Sequence, residues 1–229
     1  MEYKKQQPQW EILIDVDELA KQENRNWVFH GVECLAPENR LCMVSLSDGG
    51  KDASTLREFD LATKSFVTNG FNLPEAKSSV QWIDEETLLV ASDFGPQSLT
   101  ESGYPRIIKA WRRGEKLELA EVVLEAPKDC INVWAFKTYG SGGDHLFLQK
   151  APNFYENEIY YVDLEKGWNM LLIPVQKDVR LSGVFHGQLI MELRSDWVVQ
   201  GKKFLRGSLV NFSLDDFIKT GRLPKVHQL

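Results

Sequence analysis

The segment LREFDL, residues 56–61, returns along the chain as IIKAW at 107–111, IYYVDL at 159–164 and SLVNFSL at 208–214. Anchored on Arg57, Ile107, Glu158 and Ser208, the returns are spaced 50, 51 and 50 residues apart. A supersecondary unit repeated at a fixed period cannot bury its apolar faces alone, so each copy must stack on the next. That requirement excludes most fold classes before any other property is considered.

Each period divides into four short runs, here named A to D in chain order. The first unit has WVFHGVECLAP (27–37), RLCMVSLS (40–47), LREFDL and SFV (65–67); the second has SVQWID (79–84), TLLVASDF (87–94), RIIKAWRR (106–113) and LELAEVVLEA (117–126). The third has INVWAFKTY (131–139), HLFLQKA (145–151), EIYYVDL (158–164) and WNMLLIPV (168–175); the fourth has VRLSGVFHG (179–187), QLIMELRS (188–195), SLVNFSL and PKVHQL (224–229). These are apolar or alternating runs with β-branched and aromatic residues, bounded by turn formers. The turns fall at 48–50, 113–115, 141–143, 166–167 and Gly201. Four strands per unit make one propeller blade.

The pattern therefore predicts an all-β chain, a partial β-propeller of about four blades, each a four-stranded antiparallel sheet. The blades are expected over 27–69, 78–126, 130–175 and 179–229. WEILIDV (10–16) reads as a strand of a preceding blade, and KVHQL (225–229) as the opening of the fourth D strand. The two ends read as cuts in a larger ring. Helical signals are short: 15–24, with Asp15 or Asp17 as N-cap, and 213–221, with Ser213 before Asp215-Asp216 and Gly221 as the stop. Trp27, Trp82, Trp111, Trp134, Trp168 and Trp197 are expected to pack blade on blade, because aromatics bury large areas.

The 229 residues are 43% hydrophobic and 26% charged, with a net charge of -6, which argues against a nucleic-acid partner. No apolar run approaches the roughly 18 residues of a membrane span, and no apolar segment follows the N-terminal MEYKKQQPQWEIL to make a secretory signal. Cys34, Cys42 and Cys130 are odd in number and lack CxxC spacing, so buried thiols and a reducing, cytoplasmic location are expected. No metal-ligand spacing and no phosphate-binding glycine string occurs, so no metal or cofactor is expected. DGGKD (48–52) reads as a solvated turn, since it fails the EF-hand spacing.

The strings SDGGKDASTLREFDLATKSFV, GFNLPEAKSSVQWIDEETLLVASDFG and SLTESGYPRIIKAW, with the opening PQWEILIDVDELA and NWVFHG, closely resemble the β-propeller of bacterial prolyl oligopeptidase family proteins. The resemblance runs from about residue 8 to the end and is strongest over 27–113. It implies a serine peptidase in which a seven-bladed propeller covers an α/β-hydrolase catalytic domain. This chain would be the first half or so of the propeller. Its partners would be that catalytic domain and a peptide substrate, with self-association through the terminal blades.

The catalytic signature itself is missing. No G-x-S-x-G elbow exists. Ser141 in YGSGGD reads as a hairpin turn. Among His30, His145, His186 and His227, the first and third recur as Phe-His-Gly and suggest equivalent turn positions. None has a credible serine to serve as base, so no catalytic residue is assigned.

In the resembled family, the D–A and B–C loops face the catalytic domain and filter substrate by size. Here they would include 72–79, 47–54 and 92–106. The candidate gating residues are Glu75, Lys77, Phe94, Tyr104 and Arg106. Some family members offer the substrate pocket an aromatic from just before the second-unit A strand; this chain has Glu75, Ala76 and Lys77 there, with Phe71 further back. Loop anchoring is the competing role for Phe94 and Tyr104. The alternative to a peptidase propeller is a non-enzymatic interaction module, complete at this length or completed by self-association. A G-x-S-x-G elbow encoded beyond Leu229 would favour the peptidase; a stop codon there would favour the module.

Overall fold

The computed structural model describes residues 9–140 and 143–229. A helix, α1 (Val16–Glu23), leads into a first sheet of β1 (Trp27–Cys34), β2 (Leu41–Asp48), β3 (Ser54–Asp60), β4 (Ser65–Phe66) and β5 (Asn72–Ala76). The second sheet is β6 (Ser79–Asp84), β7 (Thr87–Ala91), β8 (Ile107–Arg112) and β9 (Glu121–Glu125); the third is β10 (Asn132–Thr138), β11 (His145–Ala151), β12 (Glu158–Asp163) and β13 (Asn169–Leu172). Next come β14 (Arg180–Phe185), β15 (Gln188–Glu192), a hairpin of β16 (Trp197–Val199) and β17 (Lys202–Phe204), β18 (Leu209–Ser213), α2 (Leu214–Thr220) and β19 (His227–Gln228). The fourth sheet runs β14-β15-β18-β19, and every named strand pair is antiparallel. The recurring segments found by their spacing are β3, β8, β12 and β18, the C strands. The chain is all-β, a partial β-propeller.

Two compact units divide it. One holds the first sheet up to Ala76; the other holds Lys77–Leu229 together with Leu35–Pro37. In the second unit, sheets stack face on face, and the period-2 alternation of the strands explains how. Along β11, Leu146 and Leu148 join Leu89, Ala91, Ile108 and Leu124 of the second sheet in one cluster. The intervening Phe147 joins Leu189, Met191, Val210 and Phe212 of the fourth sheet in another. A strand covered on both faces reads as a continuous apolar run, and HLFLQKA does so. Polar groups near the inner strands add cross-links: Gln81 Oε1 accepts from Lys137 N at 2.9 Å, and Lys137 Nζ donates to Ile83 O at 3.2 Å. Trp168 Nε1 donates to Glu121 Oε2 at 3.1 Å.

Both helix signals are realised. Asp15 caps α1 by accepting from Glu18 N, and Ser213 caps α2 by accepting from Asp216 N. Gly221 ends α2 at φ 64, in the left-handed region, where the absence of Cβ removes the steric penalty.

Several expectations need correction. The strand expected over 10–16 is not formed: residues 9–15 are irregular and Val16 opens α1. Its apolar residues serve packing instead, with Ile14 against the cluster of Val44, Leu46 and Phe59. The segment 72–79, expected as a loop, contains β5, which pairs with β3 through Leu56↔Leu73 and Arg57↔Asn72. Strand D of the first sheet is thus split into β4 and β5 by an excursion at 67–71. Buried Glu58 holds that excursion, accepting from Phe71 N at 2.7 Å. The cysteines are not all thiols: Cys34 and Cys42, opposed in register on β1 and β2, form a disulfide, and Cys130 is a buried thiol. The two Phe-His-Gly sites are not equivalent. His186 is in the β14–β15 turn at φ 47, whereas His30 lies within β1 at a bulge. The turn expected at Ser141-Gly142 lies outside the described residues.

His145 opens β11, opposite Thr138, and is buried with neither ring nitrogen hydrogen-bonded. Burial pushes its pKa below the ordinary value near 6.5, against smaller opposing pulls from Asp215 and Asp144. The unfolded chain therefore binds the extra proton first, and stability falls as pH drops through about 6.5. Urea midpoints at pH 7.5 and 5.5 should show this loss, and His145→Phe should flatten it. An unchanged pH slope in the variant would exclude His145 as the cause.

Candidate functional site

In the second unit, the B–C and D–A loops share one edge of the sheets and are tied together. Thr100 Oγ1 donates to Ile131 O at 3.2 Å, Glu101 N to Lys128 O at 2.9 Å, and Val133 N to Pro105 O at 3.2 Å. Further along, Asn157 N donates to Lys177 O at 2.7 Å. The longest loop, 92–106, is ordered from within. Asp93 Oδ1 accepts from Gly95 N at 2.8 Å, and Ser98 Oγ accepts from Phe94 N at 2.8 Å. Beside it opens a cleft of about 580 Å³, lined by Asp93, Pro96, Gln97, Thr100, Glu101 and Lys128 among others.

Four of the five residues singled out by sequence come to this loop. Arg106 is an anchor: 9% exposed, it donates from Nε to Gln97 O at 2.6 Å, and from Nη1 to Ala126 O at 2.7 Å and Glu125 Oε1 at 2.8 Å. The ammonium of Lys77 lies 4.0 Å from the centre of the Tyr104 ring, and that of Lys109 lies 4.8 Å from the Phe94 ring. Such cation–π contacts hold the aromatic faces in place. Glu75 is apart, on β5 of the first unit, paired with Lys51 at 3.1 Å.

Sequence reasoning missed a more exposed pair. Phe154 and Tyr155, on the B–C loop of the third sheet, are 80% and 75% exposed. Asn153 Oδ1 accepts from Tyr155 N at 2.9 Å and Glu156 N at 3.0 Å, an Asx turn that pushes both rings outward. The signal was present in APNFYENE, where Pro and Asn bracket a turn with two aromatics at its tip.

Glu158 supports this loop edge. It accepts from Lys150 Nζ at 2.5 Å, Lys177 Nζ at 2.8 Å and Tyr160 OH at 2.9 Å. These bonds, led by that from Lys150, lower its pKa to about 2.

His30 Nδ1 and Ser54 Oγ are 2.6 Å apart, but Ser54 is a buried strand residue, not an exposed nucleophile on a strand-to-helix turn. Among the described residues no group of three His, Cys, Asp or Glu is placed to hold a metal ion. Asp48 of the DGGKD turn is occupied by Asn26 N and Arg25. No helix among the described residues is long and apolar enough to cross a membrane.

Successive antiparallel four-stranded sheets define a partial β-propeller domain. The particular family follows from comparison. Residues 2–222 match the family model of the prolyl oligopeptidase N-terminal β-propeller domain, and the chain belongs to that family. It is 36% identical over 216 residues to an uncharacterized peptidase of Sinorhizobium fredii, covering 93% of this chain and 30% of that protein. It is 33% identical to an uncharacterized peptidase of Rickettsia prowazekii, covering 95% and 32%. Among solved structures, a post-proline cleaving enzyme from Rickettsia typhi superposes with a TM-score of 0.90 at 32% identity, over 99% of this chain and 35% of that one. Oligopeptidase B from Leishmania major, at 18% identity and a TM-score of 0.58 over 79% and 24%, shares the fold. The chain thus spans about a third of the length of the curated relatives it matches.

Proposed function

We propose that this chain is the propeller portion of a prolyl oligopeptidase-like serine endopeptidase, and that its laced loop edge gates peptide access to an α/β-hydrolase catalytic domain of the same protein. The observation that carries the reading is the 0.90 TM-score at 32% identity to the Rickettsia typhi post-proline cleaving enzyme. Rigidly held aromatic and charged side chains at the loop edge support it, because a size filter needs loops that do not yield. In this reading Phe94, Tyr104 and Lys77 form a fixed wall, Arg106 holds the loop from behind, and Phe154 and Tyr155 reach furthest toward peptide. Glu75, paired with Lys51 in the first unit, is not part of this wall.

The test compares the full-length gene product with this chain alone. A fluorophosphonate probe should label one serine of the full-length protein, which should also cleave a chromogenic Gly-Pro substrate; the 229 residues alone should do neither. The double variant F154A/Y155A should change the ratio of kcat/KM for a long peptide over a short one by about fivefold, equivalent to roughly 1 kcal/mol. Labelling of a serine within these 229 residues would overturn the reading. An unchanged ratio would remove the two aromatics from the gate.

A second reading, a non-enzymatic interaction module, draws on the apolar face of the first sheet. Phe29 and Val32 are each 53% exposed on β1, beside a groove of about 520 Å³ lined by Ile12, Leu13 and the Cys34–Cys42 pair. Exposed apolar surface of this kind favours association. The isolated chain is expected to self-associate at micromolar concentration when followed by light scattering. A stable monomer over a wide dilution range would mean that the four units close on themselves, and would favour a module of these four units alone over one completed by self-association.

A further inference from the structure

The Cys34–Cys42 disulfide is a poor candidate for a structural staple. It joins residues opposed at the end of the β1–β2 ladder, which also pairs from Trp27↔Asp48 to Glu33↔Met43 with one bulge at His30. It closes a sequence separation of only 8 residues, and a short loop has little chain entropy to lose in the unfolded state. Its two sulfurs differ in access. Cys42 is 1% exposed, with Val44 on the same strand in the buried core, whereas Cys34 is partly exposed. Both line the open apolar groove of the first unit. Accessible disulfides are the ones that exchange.

We propose that Cys34 and Cys42 form a reversible thiol–disulfide modification site for a low-molecular-weight thiol of the glutathione class, with Cys34 as the sulfur that carries the mixed disulfide. In the reducing direction, a glutathione thiolate attacks Cys34 Sγ. The Cys34–Cys42 bond breaks, a Cys34–glutathione bond forms, and the electron pair leaves on Cys42 as a thiolate that takes a proton from water. A second glutathione thiolate then attacks the glutathione sulfur of the adduct, releasing glutathione disulfide and the Cys34 thiolate. The protein gains two electrons and two protons, and two glutathiones become one glutathione disulfide. The oxidising direction is the reverse, with glutathione disulfide as oxidant. Attack at Cys42 is blocked by its burial, so the order is set by the fold. Cys130, buried in the connection between β9 and β10, has its thiol pKa raised by desolvation and stays outside the exchange.

This inference does not depend on the peptidase reading. The experiment equilibrates the full-length gene product in buffers of varied glutathione to glutathione disulfide ratio, alkylates free thiols and maps them by mass spectrometry. The Cys34–Cys42 pair should pass from disulfide to dithiol across the series while Cys130 is unchanged. Cys42→Ser should accumulate a glutathione adduct on Cys34; Cys34→Ser should leave Cys42 without one, with circular dichroism confirming that each variant is folded. A pair that stays in one state across the whole series would overturn the proposal, as would an adduct on Cys42 in folded Cys34→Ser.

Discussion

Replacing Phe147 with alanine is expected to cost about 3–5 kcal/mol of folding stability. The ring is fully buried on β11. It stacks on Phe136 of β10 at 5.2 Å between centroids and meets Tyr161 of β12 edge-on at 5.9 Å. These three residues are cross-strand neighbours in register, so they form one aromatic row across the third sheet. That row belongs to the cluster built by Leu189, Met191, Val210 and Phe212 of the fourth sheet. Truncation therefore opens a cavity at the seam between two blades, where stacked repeats draw their nearest-neighbour stability. Against a typical domain stability of about 5–15 kcal/mol, the loss is large enough to read from urea denaturation. Phe147→Leu should lose less than half as much, because most of the volume is kept. A cost below about 1 kcal/mol for the alanine variant would mean that the seam contributes little to the stability of the unit.

The fold was legible because it repeats. A single apolar run cannot distinguish a strand from a buried helix segment, but four C strands at near-equal spacing can. What escaped was built by tertiary contacts. WEILIDV alternates like a strand, yet Ile14 packs against Val44, Leu46 and Phe59 and Asp15 caps a helix. The hairpin of β16 and β17 turns on Gln200 and Gly201, both at positive φ, the geometry of a type I′ turn. Only its glycine was marked in the sequence, because three-residue strands give no periodicity. The loop edge was legible in outline. Tyr104 and Arg106 stood out in a long loop, but nothing local distinguishes an arginine that anchors a loop from one that meets substrate. Bonds to Gln97 across its own loop, and to Glu125 and Ala126 at the end of β9, decide that. The disulfide was missed because Cys34 and Cys42 become neighbours only when the A–B turn closes.

Replacing Glu158 with glutamine is expected to cost about 2 kcal/mol and to remove much of the acid sensitivity of the third sheet. The carboxylate is 18% exposed and Lys150, its cross-strand partner, 19%, so the glutamine variant leaves a largely covered ammonium without its counter-charge. Lys177 sits on the connection into the fourth sheet, and its backbone carbonyl accepts from Asn157 N. Glu158 therefore holds the base of the loop that presents Phe154 and Tyr155. Its hydrogen bonds from Lys150, Lys177 and Tyr160 outweigh desolvation and lower its pKa from 4.5 to about 2. A depressed carboxylate pKa contributes stability in full above about 4.5, and that contribution is lost as pH falls toward 2. Between pH 7 and pH 3.5 the wild-type chain should lose about 1 kcal/mol through this residue. The glutamine variant should lack that increment, whatever the other carboxylates contribute to both proteins. Parallel urea series at the two pH values measure the difference. Identical acid losses in the two proteins would mean that Lys150 and Lys177 do not hold Glu158 in solution, and the loop edge would then lack the rigid base that gating requires.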